Sequence, residues 1–339
     1  MELTFSQIKD ITLGAVRVVQ EENGVQFRRF SAKQEAHYLS RSEGLYLKTK
    51  HTSGIQLRFR TDSTTLRLAG VPAGAVSRFY YAVEVQVDGK TIGTVDNYSH
   101  VEMPASYASI QLPAEPFDRN FDLGIGEKEV AVYLPWNMYM SLSCVAVDDG
   151  AFIAPVKPKY QMLCFGDSIT QGYDAQLPSN KYVTQLAQYL EAEEHNKAIG
   201  GDWFFPELVL EKEDFKPDYI SVAYGTNDWS RYSKEMLSEN CKAFFTNIHS
   251  TYPDAKVIVI TPIWRKDKDA PGRTIVFEDL EGIIADAIKG YDNMVLIPGY
   301  DLVPHDESYF ADLRLHPNDK GFACYFEGIK KALQEVSKA

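Results

Sequence analysis

Hydrophobic and polar residues alternate along the first part of the chain, and this is the pattern of half-buried β-strands. The alternation is clear at 55–60 and at 83–87, and the second run is followed by Asp88-Gly89. That dipeptide favours a hairpin, because both central positions of a type I′ turn need a positive φ. The same pattern predicts strands at 129–134 and 141–147. Short alternating strands between turns indicate a jelly-roll-like sandwich of two antiparallel sheets over residues 1–155.

The pattern changes after the segment 154–159, whose sequence Ala-Pro-Val-Lys-Pro-Lys predicts a linker. Beyond it, short apolar runs alternate with stretches of helical spacing. The apolar runs predict strands at 161–165, 219–224, 256–261 and 294–297. The helical spacing predicts helices at 182–190, 237–248, 277–288 and 322–333. Strands alternating with helices indicate an α/β domain with a parallel sheet covered on both faces, which we assign to residues 156–339.

The composition is that of a globular protein, with 45% hydrophobic and 24% charged residues, and excludes a disordered or collagen-like chain. Asp plus Glu number 47 and Lys plus Arg number 35, so the formal net charge is −12. An acidic surface repels phosphate groups, so neither nucleic acid nor a membrane is expected as a partner. No apolar run approaches the ~20 residues that span a bilayer. The acidic runs at 191–194 and 211–214 are interpreted as solvated helix or loop faces; the oligomeric state stays open.

Residues 1–6 lack the basic start and the long apolar stretch of a secretory signal. Either the mature form begins here or the protein is cytoplasmic, and we favour the cytoplasm. The cysteines are too widely spaced for a CxxC pair or a metal-binding pattern. They are Cys144, Cys164, Cys241 and Cys324. Reduced and mostly buried thiols are therefore expected.

The candidate chemistry lies beyond the carboxyl ends of the predicted parallel strands, where ligands bind in such sheets. Four segments rich in glycine and polar residues follow strands or turns there, at 166–172, 196–202, 225–228 and 312–318. Ser168 is a candidate nucleophile and His316 a candidate base, since a free serine hydroxyl needs one. Ser168 N–H, Gly201 N–H and the Asn227 amide are candidate donors to the oxyanion of acyl transfer. Asp312 is the candidate that holds the imidazole in the right tautomer.

Each of these segments has a simpler interpretation when taken alone. Gly-Asp-Ser is usually a turn, Gly-Gly a flexible loop, and Gly-Thr-Asn-Asp a helix start capped by Thr226, Asn227 or Asp228. His-Pro-Asn likewise suits a loop before the last helix. The combination in this order after successive strands favours a catalytic site. No spacing of His, Asp and Glu indicates zinc, and neither a metal nor a cofactor is expected.

The four segments resemble the sequence blocks of the SGNH hydrolases, also called the GDSL esterase/lipase family. Ser168, Gly201, Asn227 and His316 match the serine, glycine, asparagine and histidine that those blocks carry in this order. The resemblance covers residues 160–339 and implies a three-layer α/β/α domain that hydrolyses esters without a metal. It also implies that His316 is the base and that Ser168, Gly201 and Asn227 form the oxyanion hole. The Gly-x-Ser-x-Gly elbow of the α/β-hydrolases is not met, because Thr170 stands in place of its second glycine.

The sequence departs from the family pattern at two positions. Ala198 replaces the glycine of an Asn-x-Gly block, which is expected to alter the local turn and not the chemistry. The family's aspartate lies three residues before the histidine, where this chain has Leu313, whereas Asp312 lies four before. Either an irregular backbone brings Asp312 to His316, or a backbone carbonyl orients the imidazole and leaves a Ser–His dyad, as in some carbohydrate esterases of the superfamily. Some group must orient the ring, since a wrong tautomer can cost ~10⁴ in rate, and we expect that group to be Asp312.

A β-sandwich ahead of an SGNH domain resembles carbohydrate esterase family 2 and related bacterial acetyl esterases, which implies deacetylation of a polysaccharide or oligosaccharide. Aromatic residues near the predicted site fit such a substrate, because their faces suit sugar rings; core or domain-interface positions are the alternative. The candidate substrate-binding residues are Asp167, Trp203, Trp229 and Trp264. Arg265 is a further candidate contact, although a surface position is the simpler expectation. The sandwich domain is predicted to contact carbohydrate or to form a wall of the cleft.

The sequence therefore predicts a serine esterase that removes acetyl or other short acyl groups from carbohydrate through an acyl-enzyme. Its partner is a small-molecule or oligosaccharide ester. A general lipase, arylesterase or thioesterase of the same family is the second hypothesis. A noncatalytic carbohydrate-binding protein is the third, and the full set of catalytic residues argues against it.

Overall fold

The computed structural model describes residues 1–336, which form two compact units. The first unit comprises Met1–Pro158, Gln176–Ser179 and Glu193–His195. The second comprises Lys159–Ala175, Asn180–Ala192 and the described residues from Asn196 onward. The main division at Pro158 falls within the proline-containing segment 154–159.

The first unit consists mainly of antiparallel strands. They are β1 (Thr12–Leu13), β2 (Arg17–Glu21), β3 (Gly24–Arg28), β4 (Gln56–Thr61), β5 (Thr65–Ala73), β6 (Ala82–Val87), β7 (Lys90–Asp96), β8 (Phe117–Asp122), β9 (Lys128–Tyr133), β10 (Tyr139–Val147) and β11 (Ala154–Pro155). One sheet has the order β1-β4-β9-β6-β7, with β11 also paired to β4, and the other has the order β2-β3-β10-β5-β8. This confirms the predicted sandwich of two antiparallel sheets.

The alternating hydrophobic residues of the first unit form its core. Leu57 and Phe59 of β4 and Leu66 and Leu68 of β5 are all 0% exposed. Burying an aliphatic or aromatic side chain of this size stabilises the fold by about 1.5–3 kcal/mol, so this core holds the two sheets together. The predicted hairpin joins β6 to β7, and Asp88 has the positive φ of 48° that its turn requires.

Short helices interrupt the first unit where the sequence indicates only strands. They are α1 (Phe5–Asp10), α2 (Ala32–Arg41) and α3 (Glu43–Thr49), and a 3₁₀ turn follows at Tyr107–Ser109. Helix α2 begins with a capping box, in which Ser31 and Gln34 satisfy each other's backbone N–H groups. The Ser-x-x-Gln spacing was a readable signal for this helix, and the prediction of an all-β first half was wrong here.

The second unit is built on a five-stranded sheet in the order β13-β12-β14-β15-β16. Its strands are β12 (Tyr160–Gly166), β13 (Ala192–Asn196), β14 (Tyr219–Ala223), β15 (Lys256–Ile260) and β16 (Met294–Ile297). Its helices are α4 (Ser168–Gln171), α5 (Tyr182–Tyr189), α6 (Pro206–Leu210), α7 (Lys234–Thr251), α8 (Asp279–Ile288) and α9 (Asp319–Val336), with 3₁₀ turns at Pro178–Asn180 and Glu307–Tyr309. The pairings from β12 through β14 and β15 to β16 are parallel, which confirms the predicted three-layer α/β/α domain.

The position of strand β13 shows that one interpretation based on charge was wrong. The acidic run at 191–194 was interpreted as a solvated face, but Ala192–Asn196 is a strand and Glu194 is 2% exposed. Charge density alone does not show that a short segment pairs with a sheet.

The structure also bears on the cysteines and on the absence of a predicted membrane span. Cys144, Cys164 and Cys241 are buried and Cys324 is partly buried, and all four are free thiols, as predicted. Within residues 1–336, none of the helices combines the length and the apolar character that crossing a bilayer requires.

Candidate active site

Ser168 lies where strand β12 turns into helix α4. The strand ends at Gly166 and the helix begins at Ser168, so the serine stands at a helix N-terminus at the carboxyl edge of the sheet. Asp167 caps this helix by accepting the N–H of Ile169 at 2.9 Å. A Cβ at Gly166 would lie 2.2 Å from Thr170 Oγ1, so the tight turn requires glycine there. The local sequence therefore fixes the position of Ser168, which is 5% exposed.

The imidazole of His316 reaches the hydroxyl of Ser168 from the loop that precedes α9. Ser168 Oγ lies 2.8 Å from His316 Nε2. The loop is held by a bridge between Phe310 and Pro317 and by the N–H of Ala311, which donates to the His316 carbonyl at 2.8 Å. A direct hydrogen bond of this length allows the imidazole to take the serine proton.

Asp312 faces the other nitrogen of the same ring. Its Oδ2 lies 2.8 Å from His316 Nδ1, and its Oδ1 accepts the backbone N–H groups of Arg314, Leu315 and His316. Leu313 has a φ of 56°, and this left-handed residue absorbs the extra position between the aspartate and the histidine. Burial alone favours the neutral acid, but hydrogen bonds from His316 and the backbone outweigh it and hold the pKa of Asp312 well below its usual range. Of the two alternatives stated from the sequence, the structure thus has the irregular backbone that brings Asp312 to His316.

The candidate oxyanion donors lie on the loops that follow β13 and β14. Gly201 has a φ of 86°, a conformation that glycine adopts without strain. The side-chain amide of Asn227 donates one hydrogen to the Asp202 carbonyl at 2.8 Å, which leaves its second hydrogen for a substrate. Together with the N–H of Ser168, these groups are the donors that the sequence indicates for an oxyanion. Their catalytic role stays a prediction.

The loop that carries Gly201 is tied to the serine helix by side-chain amides. Asn196 Nδ2 donates to the Thr170 carbonyl at 2.9 Å, while its Oδ1 accepts the N–H of Ala198 at 2.9 Å. The N–H of Gly200 donates to Gln171 Oε1 at 2.7 Å. Ala198 therefore fits a turn that the Asn196 side chain closes, and these bonds hold the loop against α4.

Two buried carboxyl groups lie next to these loops. Burial, as the main cause, together with the charge of the buried Asp202 raises the pKa of Asp167 to about 7 and that of Asp228 to about 8. Asp228 Oδ1 accepts the N–H of Phe204 at 3.1 Å. Its Oδ2 is buried and has no hydrogen-bond partner among residues 1–336. A neutral acid suits that place, because an ionised one would leave an uncompensated buried charge.

Replacing Asp228 by Asn is expected to make the protein progressively more stable than wild type as the pH rises. The pKa of Asp228 is about 8 in the folded protein and near 3.8 in an ordinary aspartate, so ionisation costs the wild type stability between those values. The amide keeps the acceptor for Phe204 and carries no charge. Urea unfolding at about pH 5 and about pH 9 measures the difference, which we expect to reach a few kcal/mol.

The matched control for that experiment is Asp292→Asn, since Asp292 is exposed on the loop before β16. Its stability difference from wild type should not grow with pH. A difference for Asp228→Asn that is the same at both pH values would contradict the assignment of a neutral acid at Asp228.

Arg265 is buried and joins the Asn227 loop to the His316 loop, which corrects the expectation of a surface residue. It is 5% exposed, and its Nη1 donates to the Thr226 carbonyl at 3.2 Å and to Thr226 Oγ1 at 3.1 Å. Its Nη2 lies 2.9 Å from Asp267, which also pairs with Arg314 at 3.1 Å. The N–H of Lys266 donates to the Arg314 carbonyl at 2.9 Å. The Arg-x-Asp spacing was the available sequence signal for this network.

Two of the predicted substrate contacts are buried for structural reasons. Trp229 is 1% exposed, donates its indole N–H to the Ile275 carbonyl at 2.9 Å and packs edge-on against Phe277. Asp167 is 2% exposed and caps α4. Trp229 therefore packs in the core and Asp167 supports the serine turn, and contact of either residue with a substrate stays a prediction.

The other two predicted contacts keep part of their surface accessible. Trp203 is half-buried, with its ring edge-on to Tyr232 and the Arg231 guanidinium 4.4 Å from its centroid. Trp264 is half-buried and stacks on His305, with ring centroids 5.5 Å apart. Both stay candidates for contact with a substrate.

One acidic residue beside the site has no counterpart in the sequence-based prediction. Asp174 is 0% exposed and its Oδ2 lies 3.6 Å from His316 Nδ1, on the same side of the ring as Asp312. The three residues offer ligand atoms within 4.8 Å of one another. The 2.8 Å between Asp312 Oδ2 and His316 Nδ1 is the length of a direct hydrogen bond, which links these two members of the cluster. The Asp that directly follows Gly-Tyr at the end of the serine block was the only sequence signal.

Serine acyl hydrolases typically have a hydroxyl, an imidazole and a carboxylate linked in a chain of hydrogen bonds. Amide donors lie beside that chain, as they do here at the edge of the parallel sheet. Residues 164–324 match the model of the GDSL-like Lipase/Acylhydrolase family.

Solved structures with the same fold cover nearly the whole chain. A salicylyl-acyltransferase from a tetracycline biosynthetic pathway is 19% identical, covers 96% of this chain and 94% of its own, and has a TM-score of 0.77. A family two carbohydrate esterase from Cellvibrio japonicus is 15% identical over 100% of this chain and 98% of its own, with a TM-score of 0.66. An acetyl xylan esterase from Butyrivibrio proteoclasticus is 14% identical over 99% and 98%, with a TM-score of 0.63. A search of curated proteins found no match.

Proposed function

We propose that this protein is a serine esterase that removes acetyl or other short acyl groups from carbohydrate esters. One observation carries the proposal: Ser168 Oγ, the His316 ring and the Asp312 carboxylate are linked by two contacts of 2.8 Å each. Such a chain activates a hydroxyl for attack on an acyl carbon. The match of residues 164–324 to the model of a family of lipases and acylhydrolases supports the same chemistry.

In this mechanism Ser168 Oγ attacks the ester carbonyl while His316 Nε2 takes its proton. Asp312 accepts the Nδ1–H throughout and stabilises the imidazolium without becoming protonated. The N–H groups of Ser168 and Gly201 and the Asn227 amide stabilise the oxyanion. The alcohol leaves with the proton from Nε2, and an acyl-enzyme remains. Water then attacks with His316 as the base, which releases the carboxylic acid and restores the serine.

The carbohydrate part of the proposal rests on the names of two proteins with the same fold and on two half-buried tryptophan rings. Two proteins with the same fold are named as a carbohydrate esterase and an acetyl xylan esterase. The half-buried rings of Trp203 and Trp264 offer flat apolar faces of the kind that sugar rings contact. Hydrolysis of longer acyl chains, as by a general lipase, arylesterase or thioesterase, is the alternative. The role of the sandwich as a carbohydrate contact or cleft wall also stays a proposal.

The test is an acyl-chain series of aryl esters combined with acetylated xylo-, manno- and chito-oligosaccharides. We expect kcat/KM to be highest for the acetyl ester and at least ~10-fold lower for the octanoyl ester, because a pocket for a short acyl group excludes added methylenes. At least one acetylated oligosaccharide should release acetate, read by mass spectrometry. Preference for octanoyl would favour the lipase alternative, and turnover of aryl acetate without deacetylation of any oligosaccharide would remove the carbohydrate assignment.

A further inference from the structure

The backbone on both sides of Asp174 is hydrogen-bonded to the serine helix and to the turn that ends it. The N–H of Tyr173 donates to the Ser168 carbonyl at 2.9 Å, and the N–H of Ala175 donates to the Gly172 carbonyl at 3.1 Å. Asp174 itself has a φ of 74°, in the left-handed region that residues other than glycine rarely adopt. The carboxylate therefore occupies its place because the turn fixes it there.

The position of that carboxylate is unusual because it is fully buried and faces an imidazole that already has a carboxylate partner. Asp174 is 0% exposed, and its Oδ2 lies 3.6 Å from His316 Nδ1, compared with 2.8 Å for Asp312 Oδ2. When Ser168 gives its proton to Nε2, the imidazolium places a positive charge 3.6 Å from the Asp174 carboxyl group. Strained backbone also concentrates at functional sites, where the surrounding structure maintains it.

We infer that Asp174 is a positioning residue that acts as a second carboxylate partner of His316 Nδ1–H. It shares with Asp312 the task of holding the ring and stabilising the imidazolium, and it accepts the Nδ1–H when Asp312 is lost. No carboxylate takes the proton: it moves from Ser168 Oγ to Nε2 and then to the leaving alcohol, while the Nδ1–H stays on the ring. This inference rests on the proposed esterase function.

The inference is tested with Asp312→Asn, Asp174→Asn and the double variant. Asn is isosteric with Asp and tolerates a positive φ, so each variant keeps the backbone of its loop. Hydrolysis of an aryl acetate should fall about 10–100-fold in Asp312→Asn and about 3–10-fold in Asp174→Asn. In the double variant it should fall ~10⁴-fold, which exceeds the product of the single losses. A double loss equal to that product within about threefold would overturn the inference.

A second measurement separates this inference from the proposed function. The hydrogen-bonded Nδ1–H of His316 should give a downfield proton resonance in the resting protein, which requires no turnover. That resonance should persist in Asp312→Asn and disappear in the double variant. Its loss in Asp312→Asn alone would overturn the inference even if the protein hydrolyses esters, whereas its persistence in a protein without turnover would overturn only the proposed function.

Two further variants, Asp174→Gly and Asp292→Asn, serve as controls for backbone strain and for the substitution itself. Glycine relieves the positive φ and removes the carboxylate, so Asp174→Gly should be at least as stable as Asp174→Asn in thermal unfolding and should show the same loss in the Asp312→Asn background. Asp292→Asn controls for the chemistry of the substitution and should leave turnover and resonance unchanged. If Asp174→Gly restored turnover to the Asp312→Asn protein, backbone strain and not the carboxylate would be the cause.

Discussion

Replacing Ser168 by Ala is expected to lower kcat for aryl acetate hydrolysis by ~10⁶-fold, to the level left by oxyanion stabilisation and binding alone. The Ser168 hydroxyl lies 2.8 Å from His316 Nε2, and in the proposed mechanism it is the group that forms the acyl-enzyme. The change removes one buried oxygen and leaves the N–H of Ser168 in place. The helix cap of Asp167 is retained, and the fold should therefore stay intact.

The matched control is Ser250→Ala, in which the same hydroxyl is removed from an exposed position on α7, where it bonds the Thr246 carbonyl. Its kcat should equal that of the wild type, and thermal unfolding should show both variants folded. Mass spectrometry after mixing with the aryl ester should detect an acyl adduct on the wild type and none on Ser168→Ala. Turnover retained by the Ser168→Ala protein would remove the nucleophile from the mechanism.

The sequence was sufficient to place the candidate chemistry because its signals are local. A strand that ends in Gly-Asp-Ser and enters a helix places the serine at the sheet edge, and the left-handed Gly201 follows from a Gly-Gly pair. The Asp-Gly dipeptide after β6 fixed the hairpin for the same reason, since a positive φ is a property of one residue. The parallel sheet and its helical layers follow from alternating strands and helices, whereas the order of the strands does not.

The contacts that the sequence did not predict depend on tertiary packing. The left-handed φ of Leu313 is what allows Asp312 to reach the ring from four residues away, and leucine carries no local signal for it. Trp229 follows a functional block and is nevertheless a core residue, because Phe277 and the Ile275 carbonyl lie against it. Asp174 and Arg265 belong to the site through contacts with segments distant in the chain, and spacing alone does not reveal such contacts.

Replacing His316 by Ala is expected to cost about as much as replacing Ser168, ~10⁵–10⁶ in kcat, because the serine hydroxyl is a poor nucleophile without a base. The exposed His249 on α7 provides the matched control, and His249→Ala should retain wild-type turnover. Rate constants for both variants are measured with the same aryl acetate as for Ser168→Ala.

The double variant decides whether the two residues act as one unit. If Ser168 and His316 act only through each other, then Ser168→Ala already removes all that His316 contributes to the attack. The Ser168→Ala/His316→Ala protein should therefore be no slower than Ser168→Ala alone, within about threefold. Independent roles would instead multiply the two losses. A double variant slower by ~10-fold or more than either single variant would show that His316 acts on the substrate by a route that does not pass through the serine, and the 2.8 Å contact would then be structural.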